Sequence, residues 1–243
     1  MAHPLDGAYQ RVNRARVHID ELDSLIDRFR KQYEDEFIPD NHPTQTQILD
    51  YLINPGTKSV LGIYDRPISE LPEDIPIVVG EVIYNLRAAL DYLVYELSGR
   101  KDGTQFPIEY CKLSIDGKYG FDTRRTTYLN GLTDSQVAAI ENLQPYKGCR
   151  WMKTLRDISN PDKHRHLTGV DGGYEQTIVI QNSFVFPPPN IGTEAQAPNP
   201  ERIFDLKRAI NVTFPDGEFV MTTVHFLEYA VKGVLISFQS EFK

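Results

Sequence analysis

Residues 75–97 decide the fold, and they read IPIVVGEVIYNLRAALDYLVYEL. At 100° per residue, eight apolar side chains of this segment fall within about a third of a helical wheel. They are Val79, Val82, Ile83, Leu86, Leu90, Leu93, Val94 and Leu97. A helix with one broad apolar arc is stable only when other elements cover that arc. The segment therefore predicts the central core helix of a helix-dominated protein.

A second amphipathic helix is expected over residues 6–37, before the central one. Its apolar residues recur at alternating spacings of three and four, which keeps them on one face. They are Val12, Ala15, Ile19, Leu22, Ile26, Phe29 and Tyr33. Such a helix would be about 45 Å long at 1.5 Å per residue, so it needs a long partner. Antiparallel packing within a bundle is one expectation, and a homodimer built through this helix is the other.

Further helices are expected after an irregular stretch at about residues 100–130. Thr133 and Gln136 form a capping box, which predicts a helix over residues 135–143. Other helices are predicted over residues 150–159 and 223–242. Asn160 followed by Pro161 has the pattern of a helix start, which predicts a short helix to about Leu167.

The last third of the chain has β character before its final helix. Residues 177–186 alternate with β-branched side chains, and Asp216-Gly217 predicts a hairpin between residues 208–214 and 218–222. The predicted fold class is α+β: a helix-dominated antiparallel bundle of about five helices with a small antiparallel β-sheet or hairpin. We expect one domain over residues 1–243, with insertions at about 39–72 and 100–130 and the β region at about 170–222.

Charge and composition exclude several classes of protein. The chain has 26 Lys and Arg against 34 Asp and Glu, a net charge of −8, so general DNA binding is not expected. No apolar run approaches the ~18–20 residues that cross a bilayer. With two cysteines and no signal peptide pattern, a cytoplasmic location is expected.

Two groups of polar residues indicate an anion-binding site. Arg87 and Asp91 lie one turn apart on the central helix, and residues 147–166 carry six Lys or Arg against two Asp. We expect a groove where the central helix meets residues 160–166. Its predicted anion contacts are Arg87, Lys163 and Arg165, and its predicted orienting residues are Asp91, Asn160 and Tyr92. The ligand would be a phosphate, a nucleotide or RNA. The alternative is an intrahelical ion pair and a solvated basic face.

Neither a metal nor a cofactor is expected. His164 and His166 are two residues apart, which points them to different faces of a helix. The phosphate-binding, dinucleotide-binding and hydrolase motifs with conserved spacing are not present in the sequence.

Two segments carry a resemblance to known proteins. Residues 85–94, NLRAALDYLV, and 159–165, SNPDKHR, resemble segments of uncharacterised bacterial and phage-borne proteins. The helical layout is more distantly similar to the HEPN superfamily of helix bundles, which are often dimeric. Many of these are metal-independent ribonucleases of toxin and defence systems, with an Arg followed by four to six residues and a His. Here Tyr92 stands at that spacing after Arg87, and seven residues separate Arg156 from His164.

Two hypotheses of function follow. The first is a helical binding or interaction module of unassigned activity, with an anion-facing polar groove. The second is a HEPN-like ribonuclease, active or degenerate, in which the resemblance implies His164 as general acid–base and Arg87 as the group that stabilises the phosphate.

Overall fold

The computed structural model of the chain describes residues 3–36, 66–68, 71–162, 170–180 and 204–242. In this part the chain forms six α-helices, which confirms a helix-dominated architecture. They are α1 (Asp6–Glu36), α2 (Asp74–Leu97), α3 (Phe121–Tyr128), α4 (Asp134–Asn142), α5 (Arg150–Asp162) and α6 (Val220–Ser237). Two 3₁₀ turns occupy Pro145–Lys147 and Gln239–Phe242. No helix among the described residues has the length and apolar character to traverse a lipid bilayer.

The central position of α2 confirms the prediction made from its apolar arc. Val79, Leu86, Leu90 and Leu93 are fully buried, and α2 packs on α1, α5 and α6. Leu97 ends the helix, and Gly99 follows with a φ of 72°. This left-handed conformation is one that glycine adopts without strain.

The apolar stripe of α1 is buried inside the chain. Its residues from Val12 to Phe29 are at most 2% exposed, because α1 packs along α2 and against α6. The packing within a bundle is therefore confirmed. The stripe that motivates the homodimer has its partner in the same chain, and dimerisation stays a prediction that light scattering can test.

The capping box at the start of α4 is confirmed. The Gln136 amide N–H donates to Thr133 Oγ1 at 3.3 Å, and the Thr133 amide N–H donates to Gln136 Oε1 at 2.9 Å. By contrast, α3 was not predicted, because its sequence FDTRRTTY buries only Phe121 and has no apolar period.

The predicted break after Ser159 is wrong. Helix α5 continues through Asn160 and Pro161 to Asp162, so Asn160 does not cap a new helix start. A proline in the last turn of a helix removes a single hydrogen bond. The free energy lost with that hydrogen bond is small compared with the stabilisation from burial of Met152 and Leu155 on the same helix.

The predicted hairpin around Asp216-Gly217 is also wrong. In the described part of the chain, three strands occupy Arg66–Ile68 (β1), Asp171–Ile180 (β2) and Phe204–Thr213 (β3), in the antiparallel order β1-β2-β3. Strand β3 pairs with β2 in a register that runs from Asp171 opposite Thr213 to Ile180 opposite Phe204.

Beyond the turn at 216–217, only Thr213 and Phe219 form a bridge, and α6 begins at the next residue. The helical spacing of Val220, Val224, Leu227 and Val231, all fully buried, prevails over the turn signal. Predictions for residues 37–65, 69–70, 163–169 and 181–203 lie outside the described residues. They include most of the 39–72 insertion and the end of the helix predicted to Leu167.

Candidate anion-binding site

A cavity of about 130 Å³ lies between α2, α3, α5 and the segment at residues 105–109. Its charged lining residues are Arg87 from α2, Arg124 from α3, Arg156 from α5, and Glu109. Its neutral polar lining residues are Gln105, Tyr128, Ser159 and Asn160. Three guanidinium groups thus face one carboxylate, a balance that favours a negatively charged occupant.

Arg87 is the most deeply buried of these cations, with 8% of its surface exposed. Its Nη2 donates to the carbonyl oxygen of Phe106 and lies 3.7 Å from Asp91 Oδ1. Its Nη1 is buried and has no hydrogen-bond partner among the described residues. Buried donors in proteins are nearly always paired, so this nitrogen is a candidate contact for a ligand.

Burial lowers the pKa of Arg87, and the neighbouring Arg156 adds to that shift, while Asp91 and Glu109 oppose it. Arginine nevertheless keeps its proton in proteins, because its ordinary pKa is far above neutral. The wall of the cavity therefore carries a buried positive charge.

Glu109 lies between the other two arginines. Arg156 Nη1 donates to Glu109 Oε2 at 3.2 Å and also to the carbonyl of Ile108. Arg124 Nε lies 3.7 Å from Glu109 Oε1. Each carboxylate oxygen thus faces one guanidinium group.

Two tyrosine rings pack against the guanidinium groups of Arg156 and Arg124. Tyr110 lies against Arg156, with 4.4 Å from the guanidinium carbon to the ring centroid. Tyr128 is one turn after Arg124, which lies 5.2 Å from its ring and donates to its hydroxyl at 3.3 Å. Such cation–π contacts reduce the rotamer freedom of the arginine side chains before any ligand binds.

The segment at 105–109 is fixed at both ends. The Phe106 amide N–H donates to Asp91 Oδ1 at 2.9 Å. At the other end Gln144 is fully buried and uses both ends of its amide. Its Oε1 accepts from the Glu109 N–H at 2.8 Å, and its Nε2 donates to the carbonyls of Pro107 and Ile140 at 2.9 and 3.0 Å.

The structure brings together part of the predicted groove. Arg87 and Asn160, which are 73 positions apart in the sequence, line the same cavity, with Asp91 beside Arg87. Tyr92 is elsewhere: it is 39% exposed, and its ring lies beside Gly7 and 5.4 Å from the guanidinium carbon of Arg11. The predicted contacts Lys163, His164 and Arg165 lie outside the described residues.

Sequence reasoning missed Arg124, Glu109 and Gln144. Arg124 belongs to a helix without apolar periodicity, and Glu109 and Gln144 occupy segments between helices. A glutamine immediately before Pro145 gives no signal that it is buried. Among residues 3–36, 66–68, 71–162, 170–180 and 204–242, no cluster of three or more His, Cys, Asp or Glu could hold a metal ion.

Comparisons with known proteins do not assign a function to the chain. No protein-family model matches the chain, and no similar curated protein or solved structure was found. The resemblances described for residues 85–94 and 159–165 therefore rest on those segments alone.

Proposed function

We propose that the chain is a binding module for a small oxyanion, with hydrogen phosphate as the reference ligand. The observation that carries this proposal is that three arginines, Arg87, Arg124 and Arg156, line one cavity with a single carboxylate, that of Glu109. In addition, Arg87 Nη1 is buried and has no hydrogen-bond partner among the described residues. Hydrogen bonds between charged donors and a ligand oxygen contribute about 1.5–3 kcal/mol each.

The size of the cavity limits the ligand. Pockets for drug-sized molecules typically enclose roughly 300–1,000 Å³, and this one encloses about 130 Å³. A single tetrahedral anion suits such a volume. A nucleotide would place one phosphate group inside and leave its base and sugar outside.

Two neutral side chains, those of Tyr128 and Asn160, offer further donors to an anion. The Tyr128 hydroxyl accepts from Arg124 and keeps its own proton to donate. The Asn160 side-chain amide supplies two further donors at the end of α5. Ser159 donates its hydroxyl to the Arg156 carbonyl at 3.2 Å, which leaves it as an acceptor.

Calorimetric titration of phosphate into the full chain tests the proposal, with chloride used to match ionic strength. We expect saturable binding that Arg124→Gln weakens and that Arg125→Gln leaves unchanged. Arg125 is the matched control, because it follows Arg124 on α3, is exposed and does not line the cavity. Absence of saturable binding, or equal effects of the two variants, would overturn the proposal.

The ribonuclease hypothesis remains the second candidate. Its specific support is that Arg87 and Asn160 share one cavity and that His164 follows Asn160 by four residues in the sequence. Incubation of the protein with RNA in EDTA, with His164→Ala in parallel, tests it. Cleavage that is absent, or that survives the substitution, removes this candidate.

A further inference from the structure

Glu109 gives the cavity a feature that a simple anion site does not need. The Glu109 side chain is 14% exposed, and its carboxylate lies among the arginines that would hold the ligand. A carboxylate carries about four lone-pair positions. Arg156 donates one hydrogen bond to Oε2, and Arg124 lies 3.7 Å from Oε1 as an ion pair, so this cavity-lining carboxylate keeps acceptor capacity.

That remaining capacity has opposite effects on two kinds of oxyanion. An anion whose oxygens carry only lone pairs places them against the Glu109 carboxylate, and like charges at hydrogen-bond distance repel. An anion with an O–H group can donate that proton to the carboxylate and form a short charge-assisted hydrogen bond. Hydrogen phosphate keeps an O–H group in both of its forms near neutral pH, whereas sulfate and a phosphodiester have none.

The backbone around Glu109 does not allow the carboxylate to move away easily. Its amide N–H is held by the buried Gln144, and the preceding carbonyl, of Ile108, accepts from Arg156. With the backbone held in this way, the contacts of the carboxylate with Arg156 and Arg124 restrain it at the cavity wall.

We propose that Glu109 makes the cavity selective for oxyanions that carry a hydroxyl group, with hydrogen phosphate preferred over sulfate. This inference rests on the proposed function, since it names the ligand class of the same site. Glu109 could instead only offset the positive charge of Arg124 and Arg156. In that case phosphate and sulfate would bind with similar affinity. Selectivity is therefore the property that separates the two roles.

Titration of phosphate and sulfate at mildly alkaline pH tests the inference, because both anions then carry two negative charges and differ in the O–H group. We expect the wild-type protein to bind phosphate at least about tenfold more tightly than sulfate. Glu109→Gln should tighten sulfate binding and bring the two affinities together. Glu96→Gln is the matched control, because Glu96 pairs with Arg100 at 3.1 Å and does not line the cavity.

A second ligand pair keeps the test independent of how well Glu109→Gln folds. Arsenate carries the O–H group and selenate does not, so the wild-type protein should prefer arsenate to selenate in the same way. Equal affinities within both pairs, or a preference that Glu109→Gln leaves unchanged, would overturn the selectivity and leave the anion site in place. Binding of none of the four anions would overturn the proposed function, and the selectivity with it.

Discussion

Asp91 and Phe106 are joined by a hydrogen bond of 2.9 Å from the Phe106 amide N–H to Asp91 Oδ1. The Phe106 carbonyl accepts from Arg87 Nη2, and Arg87 lies 3.7 Å from the same Asp91 oxygen. Two residues one turn apart on α2 therefore hold both polar groups of Phe106. This closed set of contacts fixes the guanidinium group of Arg87, which lines the cavity, without the help of a ligand.

Substitution of Arg87 is expected to destabilise the protein strongly. Arg87→Ala removes the buried partner of an ion pair whose other member, Asp91, is 29% exposed, and it removes a hydrogen bond to Phe106. Loss of one partner of a fully buried pair costs about 3–5 kcal/mol in the free energy of unfolding, so we expect a cost of about 3 kcal/mol here. Arg100→Ala, which breaks a largely exposed pair with Glu96 at the end of the same helix, should cost less than about 1 kcal/mol. Urea denaturation measures both, and equal losses would show that Arg87 is not a structural part of the core.

The arginines on α3 and α5 are expected to act mainly on the ligand. Arg156→Gln should weaken phosphate binding by about tenfold to a hundredfold, because one charge-assisted hydrogen bond contributes about 1.5–3 kcal/mol. Lys153→Gln on the same helix is the control, since Lys153 is exposed and its ion pair with Asp157, at 4.0 Å, lies outside the cavity. Calorimetry compares the two. A loss of affinity shared by Lys153→Gln would indicate a diffuse charge effect instead of a contact.

Gln144 is expected to affect the site without touching a ligand. Gln144→Leu leaves the Glu109 N–H and the Pro107 and Ile140 carbonyls without their partner, and each unsatisfied buried group costs about 1–3 kcal/mol. Both stability and phosphate affinity should fall, since the segment that carries Glu109 loses its anchor. Gln239→Leu should change neither, because Gln239 is exposed, donates to the Tyr9 hydroxyl at 2.9 Å and does not line the cavity. Thermal unfolding with and without phosphate measures both effects. A Gln144→Leu protein that phosphate stabilises as much as it stabilises the wild type would contradict the anchoring role.

Gly120 is expected to tolerate no side chain. Its φ is 114°, and a Cβ there would lie 2.8 Å from the Lys112 carbonyl oxygen, which already accepts from the Asp122 amide. Gly120→Ala should cost about 3 kcal/mol, from backbone strain and steric overlap. Gly117→Ala should cost only about 1–2 kcal/mol, because Gly117 has a φ of 69° and nothing within 4 Å of its Cβ position. Chemical denaturation curves that rank the two variants in the opposite order would disprove this.

Asp157 is expected to make stability depend on pH. Partial desolvation raises its pKa, with 48% of its side chain still exposed, and the nearby Asp216 raises it further. An acid whose pKa is higher in the folded state loses stability as pH rises from the unfolded-state pKa through the folded-state pKa. Asp157→Asn should therefore raise the melting temperature at about pH 7 and have no such effect near pH 3, where both states are protonated. A rise in melting temperature that persists near pH 3 would indicate a cause other than the ionisation of Asp157.

The sequence predicts the parts of the molecule whose signals are local. The apolar periods of α1 and α2, the capping box at Thr133 and the Arg87–Asp91 pair all depend on residues within a few turns of one another. Their physical basis is helical geometry alone, which makes them visible in a single sequence.

The remaining parts depend on contacts between distant residues. Glu109 meets Arg156 across 47 positions and Gln144 across 35, and neither spacing leaves a pattern in the sequence. The hairpin prediction failed for the same reason, since packing of α6 on the distant helices α1 and α2 buries Val220 and Val224 and favours a helix after the turn. Short-range turn chemistry gives no information about that packing.

The burial of Arg87 divides the work of recognition between folding and binding. Water is removed from this guanidinium when α2 packs, long before an anion arrives, so an arriving ligand is spared that step. The cost instead lowers the stability of the ligand-free protein. Because the same side chain also holds Asp91 and the Phe106 carbonyl, a variant that moves Arg87 into solvent is expected to lose thermal resistance and anion affinity together.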